Sequence, residues 1–256
     1  MKIGITGASG VLGTILIKKL GEKGYECSSF EGDIRKTSDI REWIDSSFPF
    51  DVVIHLAAVV STSLVKEDLG EAFKINSVGT KNLVEVLNYK APEVWVFYAS
   101  TSHVYKSKNE PISEDDEIEP ISEYGLTKYA GEILAKKNYK NLCIGRIFSM
   151  YHDTQKPPFL YPNIKKRLEE EDLEKPFELY GADSIRDFLN AEDIADIIIE
   201  MAKKKPCGVF NIASGKGMKI RDFVQSMTKK ELKIKALGNK DVLVANVDKL
   251  NRLLNE

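Results

Sequence analysis

A tyrosine and a lysine, Tyr124 and Lys128, stand one helical turn apart in the segment SEYGLTKYAGEILAKK, residues 122–137. The apolar side chains of this segment recur with helical spacing and form one stripe, and the Tyr–Lys pair projects from the opposite face. An ammonium beside a phenol favours the phenolate and lowers the pKa of the tyrosine. Such a pair can give or take a hydroxyl proton in general acid–base catalysis. Taken alone, the pair could equally be two solvated side chains.

A glycine-rich turn, ITGASGVLG, separates the first predicted strand from the first predicted helix. Glycine suits a tight turn, a close backbone approach to a pyrophosphate and close packing of helix on strand. The free N–H groups of the first helical turn would then face the anion. The spacing differs by one residue from G-x-G-x-x-G, and an ordinary strand–helix turn is the alternative. The predicted cofactor contacts in this turn are Gly7, Ser9, Gly10, Val11, Leu12 and Gly13.

The second half of a dinucleotide-binding fingerprint is an acidic residue near the end of the second strand, about 20 residues beyond the loop. Glu31 and Asp33 lie there. Glu31 would hold a ribose 2′-hydroxyl and favour NAD, whereas Arg35 or Lys36 would neutralise a 2′-phosphate and favour NADP. Two acidic residues in a surface turn are the other interpretation. We expect NAD or NADP with NAD favoured, and we predict contacts from Glu31, Asp33 and Ile34.

Buried apolar runs alternate with helical patterns, which predicts a parallel sheet with both faces covered. The predicted strands occupy residues 2–6, 25–30, 51–58, 94–100, 142–148, 177–180 and 209–213. The predicted helices occupy residues 11–22, 39–46, 71–89, 122–137, 163–173, 191–204 and 220–230. The expected fold is α/β, a Rossmann-type doubly wound parallel sheet with a small C-terminal substrate-binding lobe. We expect residues 1–150 to form the cofactor-binding core, and 151–256 to complete it through about 185–213 and form the lobe.

Composition excludes several classes of protein. The 256 residues carry 37 basic and 39 acidic side chains, a net charge of −2, which does not indicate nucleic-acid binding. The three cysteines are widely separated and the histidines are scattered, so we expect no metal site and no disulfide framework. No apolar stretch predicts a membrane span, and the first residues do not read as an export signal. We therefore expect a cytoplasmic protein.

The motifs TGASGVLG, GDI, HLAA, NSVGTKNLVE, YASTSHVY and YGLTK occur in that order. With them the chain resembles the extended short-chain dehydrogenase/reductases, the NAD-dependent epimerase/dehydratase family that acts on nucleotide-linked sugars. The resemblance continues through YGADSIRDFLNAEDIADII and FNIASGKGMKIRDFV. It implies that Tyr124 and Lys128 are catalytic and that Lys128 and Tyr124 also contact the cofactor. It further implies that Thr101 steadies the developing alkoxide, with Ser102 as the alternative hydroxyl.

The same resemblance assigns further cofactor positions. Ala57 and Ala58 match small residues that let a cofactor lie close to the strand end, although simple tight packing would explain them equally well. Asn76 matches a position near the cofactor, and a local hydrogen bond to the helix backbone is its alternative. The remaining cofactor contacts implied by the resemblance are Leu56 and Ile147.

On the substrate side the resemblance implies contacts from Thr101, Ser102, Ser149 and Arg186. Ser149 stands where many relatives have an asparagine that contacts the sugar nucleotide. Arg186 matches a diphosphate-binding arginine, for which a planar donor group is chemically suited. An ion pair with Asp187 or Asp183 is the alternative for this arginine.

The family offers three reactions. Dehydration is the least expected, because relatives that dehydrate carry an Asp-Glu pair after the catalytic threonine, where this chain has Ser102 and His103. The compressed second-strand region and short C-terminal part favour loose cofactor binding and a small site, hence reduction of a nucleotide-linked 4-keto-6-deoxysugar. An NAD-dependent nucleotide-sugar epimerase is the alternative, and a non-catalytic NAD(P)-binding sensor or scaffold is the alternative of another class. We also expect a homodimer, because residues 71–89 and 122–137 resemble helices that pair in this family.

Overall fold

The computed structural model of the chain describes residues 1–255. The strands are β1 Lys2–Thr6, β2 Glu26–Phe30, β3 Val52–His55, β4 Trp95–Thr101, β5 Leu142–Ile147, β6 Ser149–Tyr151, β7 Phe177–Tyr180, β8 Ile185–Asn190, β9 Gly208–Ile212, β10 Gly217–Lys219, β11 Ile234–Leu237 and β12 Val242–Leu243. The helices are α1 Val11–Glu22, α2 Thr37–Ser47, α3 Thr62–Glu67, α4 Leu69–Phe73, α5 Thr80–Lys90, α6 Glu123–Asn138, α7 Leu160–Glu170, α8 Ala191–Lys204, α9 Ile220–Ser226 and α10 Asp248–Asn255. Within these residues, no helix combines the length and the apolar character that crossing a membrane would require.

The central sheet contains six parallel strands in the order β2-β1-β3-β4-β5-β9. From β1 the chain adds β2 on one side and then returns to add β3 on the other. This reversal of direction is a topological switch point, and open α/β sheets bind ligands outside the carboxyl ends of the strands at such a point. The predicted α/β fold with a parallel Rossmann-type sheet is therefore confirmed.

Helices cover both faces of this sheet, as its buried strands require. On one face Leu16 of α1 and Ile198 of α8 belong to a core cluster with the strands. On the other face Ile44 of α2 and Leu83 of α5 belong to a second cluster. All four residues of β3 are buried, because this strand lies between the two layers of helices.

A second group of strands lies outside the central sheet. Strand β8 pairs with β6, β10 and β12, and β7 pairs with β11. The chain enters these strands directly from the carboxyl ends of β5 and β9, so the lobe they form stands next to the edge where ligands bind. Its small core includes Ile164, Phe177, Leu179 and Val224.

Several predicted boundaries are wrong for identifiable reasons. The single helix expected at 71–89 is interrupted by a π-helical segment, Lys74–Gly79, between α4 and α5. Helix α7 begins at Leu160 rather than 163, because proline is tolerated in a first helical turn and Pro162 does not delay the start. Helices α3 and α10 and strand β8 were not expected, since such short segments lack a clear period.

Candidate active site

Two glycines of the turn after β1 lie where a side chain would clash with the neighbouring backbone. Gly7 has a φ of +72°, and a Cβ there would lie 2.6 Å from the backbone nitrogen of Ala57. A Cβ at Gly13 would lie 2.4 Å from the carbonyl oxygen of Gly7, so α1 can approach the turn only with glycine. Gly10 is the N-cap of α1, and a Cβ there would approach only the Gly7 carbonyl oxygen, at 3.3 Å.

This turn fits a dinucleotide pyrophosphate. The backbone N–H groups of Val11 and Leu12 lie in the first turn of α1, where no preceding helical carbonyl accepts from them. An anion at this end of the 12-residue helix is favoured by those donors and by the helix dipole. Ser9 and Gly10 are exposed beside them, so the backbone here is accessible to a ligand.

The loop after β3 is held against the glycine turn. The backbone nitrogen of Leu56 donates to the Thr6 carbonyl at 3.1 Å, and that of Ala57 donates to the Thr6 hydroxyl at 3.2 Å. Ala57 and Ala58 are half-buried at the carboxyl end of β3, next to the turn. The structure therefore brings these predicted contacts together with Gly7.

His55 connects the end of β1 to the first residue of α5, directly after the π-helical segment, a role that the sequence did not reveal. Its Nδ1 lies 2.6 Å from the Thr6 hydroxyl and its Nε2 lies 2.9 Å from the Thr80 hydroxyl. Because Thr80 donates its proton to the Asn76 carbonyl at 2.7 Å, it accepts from His55, and Thr6 must donate to Nδ1. Burial lowers the pKa of His55 to about 3, so this chain of hydrogen bonds contains a neutral imidazole.

Asn76 holds the loop rather than a nearby backbone group of its own helix. Its side-chain oxygen accepts from the Val59 nitrogen at 2.7 Å. Its amide nitrogen donates to the Val59 carbonyl and to the Thr127 hydroxyl of α6, both at 2.9 Å. Asn76 is fully buried, and these bonds use both of its donors. The asparagine thus links the loop after β3 to the helix that carries Tyr124.

Tyr124 and Thr101 meet at the carboxyl end of β4. Ser122 caps α6 by accepting from the Gly125 nitrogen at 3.1 Å, which starts the helix just before Tyr124. A Cβ at Gly125 would lie 2.2 Å from the His103 carbonyl, so glycine allows α6 to approach the 3₁₀ turn that follows Thr101. The Thr101 side chain acts on the Tyr124 hydroxyl and lowers its pKa, so the two groups are neighbours.

The pKa of Tyr124 differs from the sequence-based expectation. We expected the neighbouring ammonium to lower it, but burial raises the pKa of Tyr124, and the interaction with Thr101 only opposes that rise. The desolvation of the phenolate outweighs its stabilisation. Tyr124 is therefore protonated at neutral pH and suited to give a proton.

Lys128 is buried one turn further along α6, with 1% of its surface exposed. Its Nζ lies 4.2 Å from the centre of the Tyr98 ring, a cation–π distance. Burial lowers the pKa of Lys128 to about 7, and the charge of Glu132 acts in the opposite direction. Gly131 permits this packing, because a Cβ there would lie 2.4 Å from the Tyr98 hydroxyl. The ammonium is thus placed on the same helix face as Tyr124.

The side chains after β2 are either held by other residues of the chain or accessible to a cofactor. The Asp33 carboxylate accepts from the Arg35 backbone nitrogen at 3.0 Å and from its Nε at 2.8 Å, which lowers the pKa of Asp33 to about 2. Arg35 also forms an ion pair with Glu71. The side chain of Ile34 is buried in a core cluster. By contrast, Glu31 is exposed directly after β2, where the structure leaves it accessible.

Arg186 lies on β8, and its ion-pair partner is neither of the two predicted aspartates. Its Nη2 donates to both carboxylate oxygens of Asp241, at 2.7 and 2.8 Å. Asp187 instead accepts from the backbone nitrogens and hydroxyl of the 214–215 turn, and Asp183 pairs with Arg221. The predicted alternative of an ion pair is therefore correct in kind and wrong in partner, since Asp241 is distant in sequence.

The other predicted contacts lie at the same edge of the sheet. Ser102 is buried in the 3₁₀ turn after β4, and Ile147 ends β5. Ser149 begins β6 and pairs with Phe188 of β8, which places it at the junction between the central sheet and the lobe.

His103 is a second residue that sequence reasoning did not assign to the site. Its Nδ1 lies 3.0 Å from the Ser122 hydroxyl, and its ring stands edge-on to that of Tyr124 at 5.9 Å. Burial lowers the pKa of His103 to about 4, and the charge of Arg186 contributes to the lowering. A neutral imidazole therefore lies between Tyr124 and the Arg186–Asp241 pair. Its position directly after the Thr-Ser of the fourth strand was the available signal.

Comparisons with known proteins agree with this geometry. The model of the NAD dependent epimerase/dehydratase family matches residues 3–213. GDP-6-deoxy-D-talose 4-dehydrogenase of Aggregatibacter actinomycetemcomitans is 28% identical over 236 residues, covering 88% of this chain and 78% of that protein. UDP-glucose 4-epimerase of Mycoplasma genitalium is 28% identical over 270 residues, covering 91% and 77%. The crystal structure of a dTDP-4-dehydrorhamnose reductase of Clostridium acetobutylicum matches with a TM-score of 0.84 at 25% identity, covering 100% and 93%.

Proposed function

Because the chain belongs to the NAD dependent epimerase/dehydratase family, we propose that it reduces the keto group at C4 of a nucleotide-linked 4-keto-6-deoxysugar. The observation that carries the proposal is the position of Tyr124, which neighbours Thr101 at the end of β4 and lies one helical turn from the buried Lys128. This group stands at the sheet edge that also carries the glycine turn. The cofactor class predicted from the sequence, NAD or NADP, agrees with the family.

In this mechanism each residue has a separate task. A bound reduced nicotinamide supplies the hydride that adds to the carbonyl carbon. As the carbonyl electron pair moves onto oxygen, Tyr124 donates its proton to that oxygen, and the phenolate then recovers a proton from solvent. Thr101 donates a hydrogen bond where the negative charge develops. Lys128 would bind the nicotinamide ribose and stabilise the phenolate that forms.

Two observations support the reductive direction. Burial keeps Tyr124 protonated, which is the state that a proton donor needs. The similar proteins include a 4-dehydrogenase of a 6-deoxytalose and a reductase of 4-dehydrorhamnose, and both names describe a 6-deoxysugar whose reacting carbon is C4. The proposed substrate follows from that shared chemistry. On the substrate side, Arg186 would contact the diphosphate, with Ser102 and Ser149 facing the sugar.

An NAD-dependent nucleotide-sugar 4-epimerase is the second candidate. It is favoured by the similarity to UDP-glucose 4-epimerase, which extends over 91% of this chain. The same trio would then move the proton while NAD accepts a hydride from C4 and returns it to the other face of the sugar. The alternative of a non-catalytic sensor or scaffold is not favoured, because such a protein has no need of a buried lysine on the same helix face as a half-buried tyrosine that neighbours a buried threonine.

The remaining features of the proposal concern the whole chain. We assign the cofactor to residues 1–150 and the sugar nucleotide to the lobe within 151–256, with a homodimer as the working unit and the cytoplasm as the compartment. NAD is favoured over NADP, since Asp33 and Glu71 occupy Arg35, the predicted partner of a 2′-phosphate.

One assay separates the candidates. The protein is incubated with reduced nicotinamide and a nucleotide-4-keto-6-deoxysugar, and the absorbance of the reduced cofactor is followed while the sugar product is identified by mass spectrometry. Stoichiometric cofactor oxidation with gain of two hydrogens in the sugar is the expected result. Interconversion of a nucleotide hexose without net cofactor change would identify an epimerase, and the absence of both would remove the proposal.

A further inference from the structure

A fully buried ion pair lies beneath the catalytic residues. Glu132 of α6 has no exposed surface, and Arg146 of β5 is 2% exposed. Arg146 donates its Nε to one carboxylate oxygen at 3.0 Å and its Nη2 to the other at 2.8 Å. Ser100 of β4 donates to the same carboxylate at 2.5 Å. Every hydrogen bond of this carboxylate therefore comes from a strand of the central sheet.

The position of Glu132 relates it directly to the site. Tyr124, Lys128 and Glu132 follow one another at intervals of one helical turn, which places all three on one face of α6. Ser100 immediately precedes Thr101 in β4. The carboxylate thus ties the helix that carries Tyr124 and Lys128 to the strand that carries Thr101. Desolvation makes a buried ion pair a poor source of stability, so its presence here calls for another explanation.

The groups around Lys128 show what that carboxylate contributes. On its own helix Lys128 is flanked by Tyr124 and Glu132; β4 presents the face of Tyr98 and β3 presents the neutral His55. Both tyrosines are protonated, because burial raises the pKa of each. The 3₁₀ turn after β4 adds His103, neutral and packed on Tyr124. Among these neighbours, Glu132 is the one whose full negative charge favours the ammonium.

We propose that Glu132, held by Arg146 and Ser100, is a positioning residue that keeps Lys128 in its ammonium form and fixes Thr101 opposite Tyr124. Arg146 and Ser100 together hold both carboxylate oxygens in place within the core. Glu132 acts at a distance, since its direct ion pair is with Arg146 and not with Lys128. The importance of Lys128 rests on the proposed function, but the effect of Glu132 on its charge does not.

The test separates the effect of the charge of Glu132 on Lys128 from the effect of its size. In Glu132→Gln the carboxylate charge is lost and the size is kept, whereas Glu132→Asp keeps the charge on a shorter side chain. The Nζ resonance of Lys128, assigned with Lys128→Arg, is titrated by NMR in the cofactor-free protein. We expect Glu132→Gln to lower the titration midpoint by about one pH unit or more, as removal of a nearby opposite charge does. Glu132→Asp should leave it close to that of the parent.

Two further variants complete the design. Glu85→Gln removes a surface carboxylate that pairs with Lys81, and it should leave the Lys128 midpoint unchanged. If Glu132→Gln does not fold, the double variant Glu132→Gln/Arg146→Met leaves no unpaired buried charge. It should lower the midpoint by less than Glu132→Gln, because a positive charge is removed as well. An unchanged midpoint in whichever of these folds, or equal shifts in the Gln and Asp variants, would overturn the inference. A shifted midpoint in a protein that turns over no nucleotide sugar would retain it and reject the proposed function instead.

Discussion

Arg186 donates to both carboxylate oxygens of Asp241, so the arginine predicted to bind a substrate diphosphate is already engaged with an anion of the same chain. A diphosphate must therefore compete with Asp241 for this guanidinium. Partly exposed ion pairs are worth up to about 1 kcal/mol. We expect Asp241→Asn to tighten the binding of a nucleoside diphosphate by up to roughly fivefold, measured by calorimetry.

The matched control for this variant is Asp183→Asn, which removes the carboxylate that pairs with Arg221 on the same lobe. It should leave nucleoside diphosphate affinity unchanged, and Arg186→Ala should weaken it. Weaker binding by Asp241→Asn would show that Asp241 holds the ligand itself and does not compete with it.

Removal of the Tyr124 hydroxyl should separate chemistry from binding. We expect Tyr124→Phe to lower kcat by at least ~10²-fold, the usual effect of losing a general acid, while cofactor affinity stays close to that of the parent. The fold should survive, because the hydroxyl is lost without a change in ring volume. Turnover and cofactor titration are measured on the same preparation.

Tyr129→Phe provides the control on the same helix, because Tyr129 packs against a core cluster next to the lobe rather than against Thr101. It should keep parental turnover. Parental turnover by Tyr124→Phe as well would assign the proton transfer to another group.

Local spacing accounts for what the sequence predicted well. The glycine turn and the Tyr124–Lys128 pair lie within single strand–turn–helix or helix segments, where a few neighbouring residues determine the geometry. The relationships that were missed depend on long-range pairing. The Arg186–Asp241 ion pair needs β8 to lie beside the chain around β12, and the His55 network needs three segments to meet. The raised pKa of Tyr124 reflects burial, which spacing alone does not give.

The pKa of Lys128 predicts a pH dependence. Since burial lowers this pKa to about 7, the ammonium is present below that pH and is lost as the pH rises through it. We therefore expect kcat/KM for the cofactor, which reports groups of the free enzyme, to fall above about pH 7. The measurement is a pH profile with the cofactor as the varied substrate.

His103→Gln tests whether His103, the other neutral base of the site, causes the decline in kcat/KM. Burial lowers the pKa of His103 to about 4, so His103 titrates well below the pH at which kcat/KM is expected to fall. The pH midpoint of the fall in kcat/KM should therefore be the same in this variant as in the parent. The assignment to Lys128 would be contradicted if the fall in kcat/KM disappeared in His103→Gln, or if its midpoint lay at the ordinary pKa of a lysine.

Exposed apolar side chains on α3 and α6 predict how two copies associate. Leu64, Leu126 and Ile133 are 52%, 48% and 50% exposed, and α6 also carries the site. Apolar side chains exposed on two neighbouring helices favour burial against a second copy. We expect a dimer by light scattering at micromolar concentration and a monomer for Ile133→Glu. Tyr180→Glu, at an exposed residue of β7, should stay dimeric, and a monomeric parent would contradict the prediction.

Cofactor choice follows from the two groups of side chains after β2. Arg35 is held by Asp33 and Glu71, so it is not available to a 2′-phosphate, whereas Glu31 is exposed at the strand end where a ribose diol would lie. A hydrogen bond to a charged group contributes about 1.5 kcal/mol or more, so we expect NADH to bind at least roughly ten times more tightly than NADPH.

Glu31→Gln should weaken NADH binding and reduce the difference in affinity between NADH and NADPH, measured by calorimetric titration with each cofactor. Glu26→Gln, at the other end of the same strand and paired with Lys2, should change neither affinity. Tighter binding of NADPH by the parent would place the 2′-phosphate beside Lys36 and reverse the assignment, because Lys36 is exposed whereas its neighbour Arg35 is held in ion pairs.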